Sequence, residues 1–137
     1  MRALLRLAVA TVVLTLAPAA CTDATDTNGD IVNAGPTINA VEGADTISEQ
    51  GGVYVVEQTL RYTDPEGDAV ARGRVRIPDL GVDVSREVQQ ASAETQAALL
   101  SLTLPGNVPK RTYDVTYNLI DVRGAEGPPA TKAITLQ

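Results

Sequence analysis

The sequence predicts an all-β domain, an antiparallel β-sandwich of about seven strands. Three observations carry this. Apolar and polar residues alternate with a period of two in separate runs between residues 53 and 136. Gly- and Pro-containing turn signals divide the runs. Each run has one polar face, as strands of two antiparallel sheets require when only the inner faces are dry.

The chain has 137 residues and begins with a segment of a different kind. Residues 1–20, MRALLRLAVATVVLTLAPAA, place Arg2 and Arg6 before an uncharged run of 14 residues, Leu7 to Ala20. A positive start, a short apolar stretch and a small-residue end are the layout of a secretory signal. A spanning helix needs about 20 apolar residues. The only cysteine follows at once, in Leu16-Ala17-Pro18-Ala19-Ala20-Cys21. This resembles the lipobox of bacterial lipoproteins, with Pro18 in place of the usual Leu. The resemblance implies a diacylglyceryl group on Cys21, which becomes the new N-terminus and anchors the chain in a membrane. Thr22 at the next position then implies outer-membrane sorting in a cell with two membranes. A lone thiol also excludes an intrachain disulfide.

Residues 21–35 read as the lipidated Cys and a flexible acidic tether. Within it, Asp26-Thr27-Asn28-Gly29-Asp30 starts like an EF-hand or dockerin calcium loop. Ile31 and Thr37 occupy the positions where such a loop needs Gly and a carboxylate, which argues against a site of that kind.

Residues 36–137 form the domain. Tyr54, Val56, Leu60 and Tyr62 share one parity, with Glu57, Thr59 and Arg61 on the other. The turn Asp64-Pro65-Glu66-Gly67 follows, with Asp, Pro and Gly at the positions a type I turn prefers. Next, Arg72, Arg74 and Arg76 alternate with Gly73, Val75 and Ile77. Residues 85–100, SREVQQASAETQAALL, are rich in helix formers and lack Gly and Pro. They leave open a short helix or a polar edge strand, the strand being favoured because a small sandwich has little apolar surface to receive a helix. Leu100, Leu102 and Leu104 alternate with Ser101 and Thr103, and Pro105-Gly106-Asn107 ends that run. Tyr113, Val115, Tyr117 and Leu119 alternate with Asp114, Thr116 and Asn118. A turn-rich stretch from Arg123 to Pro129 leads to Ile134 and Leu136.

The run Tyr62-Thr63-Asp64-Pro65-Glu66-Gly67-Asp68, together with Tyr113-Asp114-Val115-Thr116-Tyr117 and Asp121, resembles bacterial immunoglobulin-like domains, closest to cadherin-like and PKD-type repeats. The resemblance implies an immunoglobulin-like topology and places Tyr113 at a tyrosine corner, its hydroxyl tied to backbone upstream. An ordinary half-buried strand tyrosine is the alternative. In that topology Asp64, Glu66, Asp68, Asp121 and Glu126 gather at one end of the sandwich, where cadherin-type domains bind calcium through hard oxygen ligands. Asp26 and Asp30 attach nearby, and Arg123 lies in the same loop. A solvated acidic turn is the competing explanation.

Arg72, Arg74 and Arg76 form a ladder on one strand face. They point either to recognition of an acidic glycan or carboxylate through planar guanidinium forks, or to a solvent face paired with Asp114 and other cross-strand polar groups.

Composition narrows the function. There is no His, Phe or Trp, so Ser-His-Asp and Cys-His catalysis is unavailable. Removing the signal lowers Lys plus Arg from 11 to 9 against 17 acidic residues, a net charge of −8. That charge repels nucleic acid. No phosphate loop is present, and a sandwich of about 100 residues offers no inferable cleft for paired-carboxylate chemistry. The expectation is a lipid-anchored cell-envelope protein with a non-catalytic domain that binds a protein or glycan partner. The alternative is an accessory lipoprotein docking onto a larger envelope complex through an exposed edge strand.

Overall fold

The computed structural model describes residues 33–67, 69–92 and 96–137. The signal, Cys21 and most of the tether lie outside the described residues. Nine strands are present among those described, β1 (Thr37–Gly43), β2 (Thr46–Ile47), β3 (Val53–Thr63), β4 (Val70–Ile77), β5 (Val82–Glu87), β6 (Gln89–Ser92), β7 (Ala97–Pro105), β8 (Thr112–Asp121) and β9 (Ala130–Leu136). They form two sheets, ordered β1-β3-β7-β6 and β2-β9-β8-β4-β5. Every pairing is antiparallel except β2 with β9.

The count exceeds seven for two reasons. The first strand changes sheets after Gly43, so it contributes β1 to one sheet and β2 to the other. The segment that left helix and strand open, residues 85–100, forms the end of β5 at one sheet edge and β6 at the opposite sheet's edge, and then runs into β7.

Strand parity follows the sequence pattern. On β3, Tyr54, Val56, Leu60 and Tyr62 are buried, as are Val75 and Ile77 on β4 and Leu100, Leu102 and Leu104 on β7. Tyr113, Val115, Tyr117 and Leu119 of β8 close the core with Ile134 and Leu136 of β9. All four tyrosines are at most 2% exposed. Burying a large side chain of this kind contributes about 1.5–3 kcal/mol, and these residues supply the core that a disulfide staples in many small secreted domains. Gly73 faces Leu100 across the sheets so closely that a Cβ there would lie 2.3 Å from a Leu100 methyl. A small void of about 10 Å³ lies among Val56, Ile77, Leu104 and Tyr113.

Gln58 breaks the apolar pattern of β3. It is fully buried, and its polar atoms are satisfied by Ala44 O at 3.0 Å and by the Lys132 ammonium at 3.0 Å. Gly43 makes this possible: at φ +146° it carries the chain so close to Gln58 that a Cβ would sit 2.5 Å from Gln58 Oε1.

The ends of the sandwich are distinct. Segment 33–36, the β3–β4 turn and the β8–β9 loop share one end, with Thr37 opposite Thr63 and Val70 opposite Asp121. The β4–β5 and β7–β8 connections and Gln137 share the other, with Ile77 opposite Val82, Val53 opposite Pro105 and Thr112 opposite Thr135.

Candidate functional site

At the acidic end, Asp64 builds the turn that its neighbours specify. Its backbone carbonyl accepts the Gly67 N–H at 3.2 Å, and its Oδ1 accepts the Glu66 N–H at 3.0 Å. Gly67 has φ +70°, as expected just past a type I turn. Glu66 Oε1 accepts the Ala34 N–H at 3.3 Å, which fastens the start of the domain to this turn. Asp121 organises the β8–β9 loop: its Oδ1 accepts the Ala125 N–H at 2.9 Å, and its carbonyl accepts the Gly124 N–H at 3.2 Å. Asp121 is 2% exposed, and one oxygen each of Asp121 (Oδ2) and Glu66 (Oε2) is buried with no hydrogen-bond partner among the described residues.

The five expected carboxylates do not share one arrangement. Glu126 is turned to the outer face of the β2-β9-β8-β4-β5 sheet, 3.7 Å from Arg74 Nη1. Asp68, Asp26 and Asp30 lie outside the described residues. Among the described residues no three acidic or thiol side chains come together as a metal-holding group.

The arginine ladder lies on the outer face of β4, between β5 and β8, and its three members differ. Arg74 grips Asp83 of β5 with two parallel bonds, Nε to Oδ1 at 2.7 Å and Nη2 to Oδ2 at 2.6 Å. That hydrogen bonding holds the Asp83 carboxyl below the usual carboxylate range and raises Arg74. Arg76 donates to Asn118 Oδ1 at 2.7 Å, and Asn118, 3% exposed, passes the tie on to Gly127 O at 2.9 Å. Arg72 is exposed, opposite Glu87 and Ile120, and makes no ion pair or hydrogen bond among the described residues. Asp114 lies opposite Ala133 on β9 instead of beside the ladder, because β8 pairs with β4 through residues 116–121.

Tyr113 donates its hydroxyl to Pro109 O at 2.8 Å, four residues upstream. Its hydroxyl is thus tied to backbone across the turn before β8. Arg111 lies over its ring at 4.8 Å and also bonds Asp79 at 3.1 Å, joining the corner to the β4–β5 connection. A shallow hollow of about 320 Å³ beside this corner is lined by Pro78, Asp79, Thr112 and Asp114.

With this geometry in hand, one likeness among solved structures is informative. The chain is similar to a PKD domain of an M14-like peptidase from a Thermoplasmatales archaeon, with 25% identity and a TM-score of 0.52, covering 77% of this chain and 98% of that one. The fold is a PKD-type, immunoglobulin-like sandwich. No family model and no curated protein matches the sequence. The PKD-type sandwich bears out the fold that the Asp-Pro-Glu-Gly-Asp turn and the Tyr113–Tyr117 strand implied. The pairs Arg74–Asp83 and Arg76–Asn118 and the Gln58–Lys132 tie were not read from the sequence, which named Asp114 as the ladder's partner; the alternation of Asp83 with Val82 and Val84 is the signal that could have pointed to Asp83.

Proposed function

We propose that this chain is a non-catalytic binding protein of the cell envelope, held by lipid on Cys21 and presenting a PKD-type sandwich to a partner. The observation that carries the reading is the fold: a sandwich similar to a PKD domain, a class that typically acts by binding rather than catalysis. The lipobox-like run ending at Cys21 supports the anchor. Arg72 and Arg76 are the residues for an acidic glycan or carboxylate: Arg72 is exposed and makes no hydrogen bond or ion pair among the described residues, and Arg76 stands two positions along on the same face, one Nη given to Asn118. Arg74 is consumed by Asp83 and serves as the rigid middle rung.

Detergent partitioning of the full chain and Cys21→Ser tests the anchor. Release of the variant from membranes is the expected result, and equal partitioning overturns it. Retention on carboxylated glycans that Arg72→Ser reduces supports the binding face. A stoichiometric protein partner recovered from intact envelopes favours the accessory reading instead, for which β5, paired on one side only, supplies a free edge.

A second reading is calcium at the acidic end, held by Asp64, Glu66, Asp68 and Asp121. The buried, unbonded oxygens of Glu66 and Asp121 favour it. Millimolar calcium then raises the melting temperature of the wild type by mass action, and Glu66→Gln with Asp68→Asn abolishes that response. A melting temperature indifferent to calcium up to ten millimolar leaves only the turn.

A further inference from the structure

We propose that Lys132 and Gln58 become joined by an isopeptide bond, formed within the folded domain with release of ammonia and with Asp45 as the proton carrier. The bond depends on neither the lipid nor a partner. Gln58, on β3, is fully buried, and the Lys132 side chain, on β9, is 15% exposed. Their strands belong to different sheets. Lys132 Nζ lies 3.0 Å from Gln58 Oε1, 2.8 Å from Gly43 O and 2.8 Å from Asp45 Oδ1. The amide carbon stands one C=O bond behind Oε1, which puts it about 3.2–4.2 Å from the nitrogen. A reacting pair needs roughly 3–3.5 Å.

The amide is held on both sides. Gln58 Nε2 donates to Ala44 O at 3.0 Å. Gly43 keeps the space beside the amide open, since a Cβ there would lie 2.5 Å from Oε1 and 2.8 Å from Cδ. Burial keeps bulk water from Cδ, so the lysine nitrogen is the nucleophile at hand and hydrolysis to a carboxylate is suppressed. Holding the two groups in place substitutes for their encounter, an advantage that reaches about 10⁵–10⁸ M in effective concentration for well-oriented pairs.

The ammonium has no lone pair, so its proton moves first, to the Asp45 carboxylate. The amine turns about Cε–Nζ and attacks Cδ; the Nζ–Cδ bond forms and the carbonyl π pair moves onto Oε1. Asp45 passes its proton to Nε2, the Cδ–Nε2 bond breaks as the carbonyl re-forms, and ammonia leaves. The departing ammonia takes a second proton from Nζ and goes as ammonium. The third proton of the lysine stays on the new amide nitrogen. No oxidant or co-reactant is needed, and Asp45 ends as it began. At 79% exposure the Asp45 side chain also opens a route to solvent for the product. The bond would link residues 74 positions apart, between sheets that the lone Cys21 cannot bridge by a disulfide, and would constrain the unfolded chain as a disulfide does.

The test is mass spectrometry, intact and after digestion, on the mature chain carrying Cys21→Ser. The expected mass is one ammonia short of the sequence, with the Gln58 and Lys132 peptides recovered as a single branched species. Lys132→Met keeps the apolar stem and is expected to show its full sequence mass, its folding checked by circular dichroism. Asp45→Asn, at an exposed side chain, is expected to fold and to cross-link about a hundredfold or more slowly; an unchanged rate overturns the role of Asp45. Full sequence mass in the protein with Lys132, Gln58 and Asp45 intact, both fresh and after prolonged incubation, overturns the bond. Ammonia lost without a branched peptide, as in a backbone succinimide, overturns it equally.

Discussion

Tyr113 and Tyr117 lie four residues apart on one strand, and their hydroxyls have opposite fates. Tyr113 bonds Pro109 O, while Tyr117 is buried with no partner for its hydroxyl among the described residues. A buried hydroxyl without a partner costs stability, and one with a partner contributes about 0.5–1.5 kcal/mol. Tyr113→Phe is therefore expected to lower unfolding free energy by about 1 kcal/mol, and Tyr117→Phe to leave it unchanged or raise it, both read from denaturant midpoints at a common slope. The pH dependence separates them further. Burial pushes the Tyr117 phenol well above its ordinary value. The folded phenol keeps its proton where the unfolded one releases it, so its contribution is fully present below about pH 10 and is lost as pH rises beyond, at up to about 1.4 kcal/mol per unit. Between pH 9 and 11 the stability gap between Tyr117→Phe and wild type should widen in favour of the variant. A constant gap would show that the phenol titrates normally.

At the level of strands, Gly73 of β4 meets Leu100 of β7 across the two sheets, with no room for a Cβ. Gly73→Ala should cost about 1–3 kcal/mol by overpacking, and Leu100→Ala about 2–5 kcal/mol by leaving a cavity. Combined, the two should cost less than the sum, because the methyl of one occupies space vacated by the other; strict additivity would mean that the sheets do not meet there. This contact was only half legible. The period of two in Arg72–Ile77 and Leu100–Leu104 shows that both residues point inward, but not that they face each other. The same limit applies to the first strand. β1 and β2 are short and mostly exposed, so the segment from Thr37 to Ile47 lacks the apolar alternation that revealed β3 and β8, and its change of sheet depends on Lys132, far along the chain. Gln58 was hidden for the same reason: a polar residue at an inward position makes sense only once its distant partners are in place. The acidic turn was plain because its Asp, Pro and Gly act locally, whereas the partners of the ladder, Asp83, Asn118 and Glu126, are set by strand register.

For the molecule as a whole, the N-terminal segment is fixed to the acidic end. Pro36 is buried, and its carbonyl lies against Gly127, where a Cβ would be 1.7 Å away. If Cys21 carries lipid, the chain enters the domain at the end nearer the membrane, and a sandwich of eight- to ten-residue strands extends about 30 Å beyond it. A fluorophore at Val122 on vesicle-bound protein should therefore be quenched by a headgroup quencher more strongly than one at Asn107; equal quenching would refute this polarity. The burial of the tyrosines has a further, optical consequence. With no Trp or Phe in the chain and all four Tyr at most 2% exposed, near-ultraviolet absorbance and circular dichroism arise from the interior alone. Loss of that signal reports melting of side-chain packing with no surface background, so loosening of the core can be told apart from unpairing of the strands without adding a label.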